Sequence, residues 1–185
     1  MRLGARIRSV RQARGLTLVE LARLAELSHP FLSQLERGQA RPSMVSLERI
    51  ARALGSSQIE LIAAATDDLV PSGTGDRVSL VRRREGPQGP FGGGEARILV
   101  HGDVTFIPME FRGSNRTPGE FYRHDEDEFL HVVDGSVLVD LADEGSYALE
   151  PGDSIHYAGG TLHRWHTPAG GEYHLFIVKE RRAGS

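Results

Sequence analysis

"TLVELARLAEL", residues 17–27, runs directly into "SHPFLSQLERG", residues 28–38. Leu21 and Ala25 in the first segment, and Leu32 and Leu35 in the second, recur at the three-and-four spacing of an amphipathic helix, so each segment predicts a short helix with one face in a core. Thr17 and Glu20 form a capping-box pattern at the start of the first, and Ser28 can cap the second. A tight turn at about 26–28 joins them, which is the layout of a helix-turn-helix.

Outward from this pair the helical texture continues to about residue 65. Leu3, Ile7 and Val10 form one stripe, and Leu47, Ile50, Ala51 and Leu54 another. Ser43 can cap a further start, and "SQIE" at 57–60 reads as a second capping box from Ser57 to Glu60. Gly15, Gly38 and Gly55 stand where helices would stop. The expectation is a bundle of five short helices.

Charge separates this part from the rest. Residues 1–65 hold ten arginines against five glutamates, so a net charge of −3 overall leaves the remainder strongly acidic. A basic unit joined to an acidic one suggests a polyanion partner for the first and a different task for the second. "TDDLVPSGTG", residues 66–75, is rich in turn formers and reads as a linker. Beyond it the runs "RVSLV", "ARILV", "VTFIPMEF", "FLHVV", "SVLVDL" and "LFIVK" are β-prone, and "GPQGPFGGGE" at 86–95 reads as a loop. The class expected is α + β in two domains: 1–65 helical, 66–75 linker, 76–181 an antiparallel sandwich or small barrel. The start, "MRLGARIRSVRQARG", has no apolar stretch of signal-peptide length and no segment has the length of a membrane span, so a cytoplasmic protein with no membrane partner is expected. The chain has no cysteine, so any metal must be held by nitrogen and oxygen.

"LGARIRSVRQARGLTLVELARLAELSHPFLSQLERGQARPSMVSLERIARALG" resembles the Cro/C1-type (XRE) family of helix-turn-helix domains. The resemblance implies that the second helix of the pair enters the major groove, with Ser28, His29, Ser33 and Gln34 at its reading face and His29 and Gln34 where the family touches base edges. Glutamine can bond adenine through two hydrogen bonds. Arg41, in the loop that follows, would hold phosphates. Arg11 and Glu36 match positions that pair within the family. Leu18 stands where the family often has glutamine, which removes a phosphate contact.

"RHDEDEFLHVVDG" and "EPGDSIHYAGGTLHRWHT" resemble the two motifs of the cupin superfamily, jelly-roll-like barrels that often hold a metal. His124, Glu128 and Gly135 match the first motif, and Gly152, Gly160 and His163 the second. Tyr122 takes the place of the first motif's other histidine, Ala158 that of a proline and Thr167 that of an asparagine. Residues two apart on a strand point the same way, so Tyr122, His124 and Glu128 can face one interior with His163 arriving from a neighbouring strand. Two imidazoles and a carboxylate suit one Fe, Mn, Ni or Zn ion with open positions; the other reading of the same residues is a hydrogen-bonded remnant. Tyr122, at the fourth position, is a poor ligand, and Trp165, on the strand face of His163, is a candidate to line a ligand pocket together with it. His131 falls on the strand face opposite Glu128, Leu130 and Val132.

Together the resemblances imply a homodimeric, sequence-specific transcription regulator rather than an enzyme. Its partners would be a double-stranded DNA operator and a small-molecule effector sensed by the cupin domain. The alternative is a mononuclear iron oxygenase of the hydroxypropylphosphonate epoxidase type, which shares the domain order.

Overall fold

The computed structural model describes residues 2–56, 58, 60–62, 78–91, 93–102 and 104–180. The chain divides into two compact units with the boundary at Val78 and Ser79. The linker expected at 66–75 lies outside the described residues.

In the first unit, α1 (Arg2–Ala13), α2 (Leu18–Leu24), α3 (His29–Glu36) and α4 (Met44–Ala53) surround one core. The predicted stripes are what they bury: Ile7, Val10, Leu21, Ala25, Leu32, Leu35, Leu47, Ile50, Ala51 and Leu54 are all nearly inaccessible, each large aliphatic side chain contributing about 1.5–3 kcal/mol. Thr17 and Glu20 form the reciprocal capping box at α2, and the Ser28 and Ser43 hydroxyls cap α3 and α4. Gly15, Gly38 and Gly55 follow helix ends with positive φ. Gly4 is required for a different reason, because a Cβ there would stand 1.9 Å from the Leu35 carbonyl oxygen, so α1 can cross α3 at this distance only without a side chain. Arg11 on α1 locks the crossing further: it donates to both carboxylate oxygens of Glu36 at 2.7 and 2.9 Å and to the Leu16 carbonyl at 2.7 Å.

Four helices are complete among the described residues. Gln58 and 60–62 are also helical, but Ser57, the expected cap of the fifth helix, lies outside them, and the Glu60 carboxylate accepts from the Ser56 hydroxyl at 2.8 Å instead.

Among the described residues the second unit has nine strands: β1 (Gln88–Phe91), β2 (Gly94–Ile98), β3 (Phe106–Gly113), β4 (Glu128–Asp134), β5 (Val137–Asp140), β6 (Ser146–Leu149), β7 (Ser154–Tyr157), β8 (Arg164–His166) and β9 (Tyr173–Glu180). They form two antiparallel sheets, ordered β1-β2-β3-β9-β4-β7 and β6-β5-β8. Inward residues alternate along β3, β4, β5 and β9, with Met109, Phe111, Leu130, Val132, Val139, Leu175 and Ile177 fully buried.

Two expectations are corrected, and the antiparallel sheets expected are present without closing into one barrel among the described residues. Gly152 N–H donates to the Val132 carbonyl at 2.9 Å and Val132 N–H to the Asp153 carbonyl at 3.0 Å. β7 therefore starts beside β4 in the larger sheet instead of returning against β6. "GPQGPFGGGE" is a hairpin rather than a loop, with Phe91 paired opposite Gly94; a Cβ at Gly94 would strike the Arg112 carbonyl at 2.2 Å, so the glycine lets β2 lie against β3. In "RVSLV", Val78–Leu80 form no strand, and both apolar side chains are exposed.

Candidate functional site

Two sites were expected, one in each unit. On α3 the side chains of His29 and Gln34 are exposed, as is Arg41 in the loop beyond, while Leu32 and Leu35 on the opposite face anchor the helix in the core. Ser28 is taken up by its cap, and the Ser33 hydroxyl accepts from Arg37, whose Nε also donates to Gln39 at 3.0 Å. Ser33 is thus already engaged from its own helix, and Arg37, which sequence reasoning passed over, is held on the same exposed end. Leu18 packs against the core cluster.

In the second unit the ligand atoms of His124, Glu128 and His163 lie within 4.8 Å of one another. Glu128 is the first residue of β4 and points inward. His163 is brought opposite Tyr122 by a two-way backbone pairing at 2.8 and 2.9 Å, and this places the second sequence motif against the first. Each imidazole is oriented by a nearby main-chain carbonyl: His124 Nδ1 stands 2.9 Å from Glu126 O, and His163 Nδ1 2.9 Å from Thr161 O. A carbonyl only accepts, so in the neutral rings Nδ1 carries the proton and Nε2 keeps its lone pair. That is the arrangement of a metal-ligating histidine.

The His124 Nε2 faces Glu128 Oε2 at 3.1 Å. Tyr157 donates its hydroxyl to the other oxygen, Oε1. Burial opposes a charge on Glu128; with both His124 nitrogens protonated, so that Nε2 donates to Oε2, that hydrogen bond, positive charge on the His163 and His124 rings and the Tyr157 hydroxyl outweigh it and lower the carboxyl to about 2. Burial also lowers His163 from the ordinary imidazole value, against the pull of Glu128, and raises Tyr157 well above a usual phenol, so Tyr157 remains a donor. The site therefore offers one carboxylate, neutral imidazole at His163, and no competing proton on Tyr157's partner.

Those donors fit a divalent ion. Nitrogen and oxygen ligands at about 2.1 Å from an ion stand roughly 3.0 to 3.4 Å apart when adjacent, from octahedral to tetrahedral geometry, and His124 and Glu128 are 3.1 Å apart. Lys179 and Glu126 complete the surroundings: both are buried, and Lys179 Nζ is 3.9 Å from Glu126 Oε2, itself 3.6 Å from His124 Nδ1.

Tyr122 stacks against His163 with ring centroids 6.5 Å apart. Trp165 stacks between His163 and Phe91 at 5.9 and 6.2 Å and meets Phe111 edge-on, within an aromatic core. A cavity of about 590 Å3 opens elsewhere, between β6 and β7, and Tyr147, Leu149, Ile155 and Tyr157 are among its walls; neither Tyr122 nor Trp165 is. Sequence reasoning missed Tyr157 and Lys179. Only Lys179 had a signal, the same parity as the buried Tyr173, Leu175 and Ile177; Tyr157 reaches Glu128 through strand register. His131 lies away from the core as expected, against the Ser154 hydroxyl at 2.9 Å.

The helix-turn-helix domain family matches residues 2–64 and the cupin domain family residues 109–179. An uncharacterized HTH-type transcriptional regulator of Sinorhizobium fredii, y4dJ, is 36% identical over 72 residues, which are 39% of this chain and 91% of that relative. The chain belongs to the helix-turn-helix transcriptional regulators. Within the family, the HTH-type transcriptional regulator DdrOP3 of Deinococcus deserti is 35% identical over 85 residues, and the match covers 43% of this chain and 66% of that regulator, just under two thirds of its length. The regulator PuuR of Escherichia coli is 24% identical over 180 residues, 91% of this chain and 89% of its own, so the likeness extends across both units.

Among solved structures, an HTH_3 family transcriptional regulator from Vibrio cholerae superposes with a TM-score of 0.60 at 19% identity, covering 98% of this chain and 96% of that one. Hydroxypropylphosphonic acid epoxidase from S. wedmorenis does so with a TM-score of 0.51 at 20% identity, covering 97% of each. Both likenesses are of fold.

Proposed function

We propose that this regulator binds a DNA operator as a homodimer through α3 and that its cupin unit senses a small-molecule effector at a metal centre of His124, Glu128 and His163. The observation that carries the DNA reading is the exposed pair His29 and Gln34 on a helix whose other face is fixed by Leu32, Leu35 and the Arg11–Glu36 pair. A rigid helix with hydrogen-bonding side chains on its open side is what direct readout requires. Arg41 and Arg37, both exposed, would add phosphate contacts.

In the cupin unit, His124, Glu128 and His163 would hold one Fe, Mn, Ni or Zn ion. Such an ion supplies open coordination positions for an effector bearing oxygen or nitrogen. The chain's own residues set the rest: the Glu126 and Thr161 carbonyls hold the ring tautomers, Tyr157 holds Glu128 to one free oxygen, and Trp165 supports His163 from behind. An effector alters DNA binding only through unequal affinity for the arrangements that can and cannot engage an operator. The regulator reading is favoured over the epoxidase because the named relatives are regulators, while the epoxidase likeness is confined to fold. The proposed divisions are 1–65 for the DNA reader and 76–181 for the cupin domain, in the cytoplasm; no helix of the described residues is long and apolar enough to cross a membrane.

The test is a fluorescence-anisotropy titration of the full chain against DNA from upstream of its own gene, repeated at several salt concentrations. Sequence-selective binding that weakens steeply with salt is expected; equal affinity for unrelated duplexes, or none, removes the proposal.

A further inference from the structure

An antiparallel sheet with one face on the core ordinarily turns polar side chains to water on the other. The outer face of the six-stranded sheet departs from this. Phe106 and Pro108 of β3, Phe129 of β4, and Phe176 and Val178 of β9 occupy the outward positions of their strands. Register sets Pro108, Val178 and Phe129 side by side in one row, with Phe176 beside His131 in the next. Phe106 is 52% exposed, Val133 at the β4 bulge 45% and Phe129 37%, so this is an apolar surface open to water.

We infer that this face is the contact through which two copies of the chain associate about a two-fold axis, an inference that rests on the DNA-reading function above, which needs paired helical units. Two properties point to a second copy. The first is charge. A face that meets itself meets its own charges, so it must neutralise them within the subunit. Here Arg97 is on Glu110 at 2.6 Å, and Glu95 lies opposite Arg112 in the ladder. The second is size. At strand and residue spacings of about 4.8 and 3.4 Å, β2, β3, β9, β4 and β7 project roughly 520 Å2, so two copies would cover about 1,040 Å2 in all, at the ~1,000 Å2 that a specific interface must clear.

The experiment is sedimentation equilibrium on the full chain without DNA, from nanomolar to tens of micromolar protein. Wild type is expected to be a dimer. Phe129→Glu, which buries a charge only in the paired state, is expected to weaken dimerisation by ~100-fold or more while circular dichroism stays unchanged. Because the chain has no cysteine, His131→Cys, Phe129→Cys and Phe176→Cys provide a second measure that does not depend on a charge being tolerated. Oxidation should link at least one of them into a disulfide-bonded pair. A monomer over the whole range, a dimer untouched by Phe129→Glu, or no cross-link from any of the three overturns the inference. Self-association is read without DNA, so a dimer that binds no operator sinks the regulator reading alone, and a monomer that binds one sinks only this interface.

Discussion

His124 Nε2 and Glu128 Oε2 face each other at 3.1 Å, and Nδ1 is turned to the Glu126 carbonyl, so in a neutral ring the proton is on the far side. Two lone pairs at that distance repel unless a cation lies against both. A second proton on the ring would serve; so would a divalent metal, and a ligand atom of the third donor, His163, lies within 4.8 Å of both.

Metal content is the first consequence. Protein purified without chelator should carry about one first-row divalent ion per chain by elemental analysis. His163→Ala should weaken binding by more than ~100-fold, beyond the 10–100-fold typical of losing an outer partner, with the helical circular-dichroism signal retained. Full loading of His163→Ala would mean the ligand set is wrong.

Tyr157 should matter through Glu128. In Tyr157→Phe the Oε1 atom loses its hydroxyl donor inside the core, and the carboxylate is free to turn. A fall of about 10–100-fold in zinc affinity by competition titration is expected, with a smaller fall in Glu128→Gln/Tyr157→Phe relative to Glu128→Gln alone. An unaltered affinity would show that Tyr157 is only packing.

For DNA, Gln34→Ala should cost about 1–3 kcal/mol of discrimination at one base pair while total affinity for unrelated duplex changes little. Arg41→Ala should do the reverse, lowering affinity for all sequences and reducing the salt slope by about one. Exchange of these two phenotypes would place α3 wrongly against the groove.

Arg11→Ala leaves the Glu36 carboxylate, 6% exposed, without its bidentate partner. Breaking such a pair costs about 3–5 kcal/mol, and urea denaturation followed through the helical signal should show it. Glu36→Gln should cost less, because the amide still accepts one hydrogen bond.

Acid should destabilise the metal-free protein in two stages. His163 is depressed below the ordinary 6.5 by burial, so on acidification the unfolded chain takes that proton first. Its share of stability is whole above pH 6.5 and is lost as pH falls through the lower folded value. Glu128 moves from an ordinary 4.5 to about 2, so its share is intact above 4.5 and lost between 4.5 and 2. Thermal melts in chelator should slope down below pH 6.5, and His163→Gln should flatten that first stage.

The helical unit was largely legible because its signals are local. Capping residues, helix-ending glycines and the three-and-four stripes each act within a turn or two, and the core they predict is the core observed. The sheet was less so. Whether β7 pairs with β4 or β6 depends on hydrogen bonds between Val132 and the 152–153 turn, which no pattern in either segment states. The same holds for the hairpin at 88–97, where glycine-rich composition imitates a loop but the backbone uses the missing side chains to approach its neighbour. In the candidate centre, motif spacing nominated His124, Glu128 and His163. It left out Tyr157, whose contact with Glu128 follows only from strand register.

The protons on His124 and His163 are parked on amide oxygens two positions away in each case. An amide oxygen survives every substitution at its own residue. Sequence drift at 161 can therefore exchange the side chain without turning the ring of His163, so the basic nitrogen stays aimed inward for as long as the polypeptide keeps its path. What relatives would have to inherit is a route of the backbone rather than a set of supporting side groups.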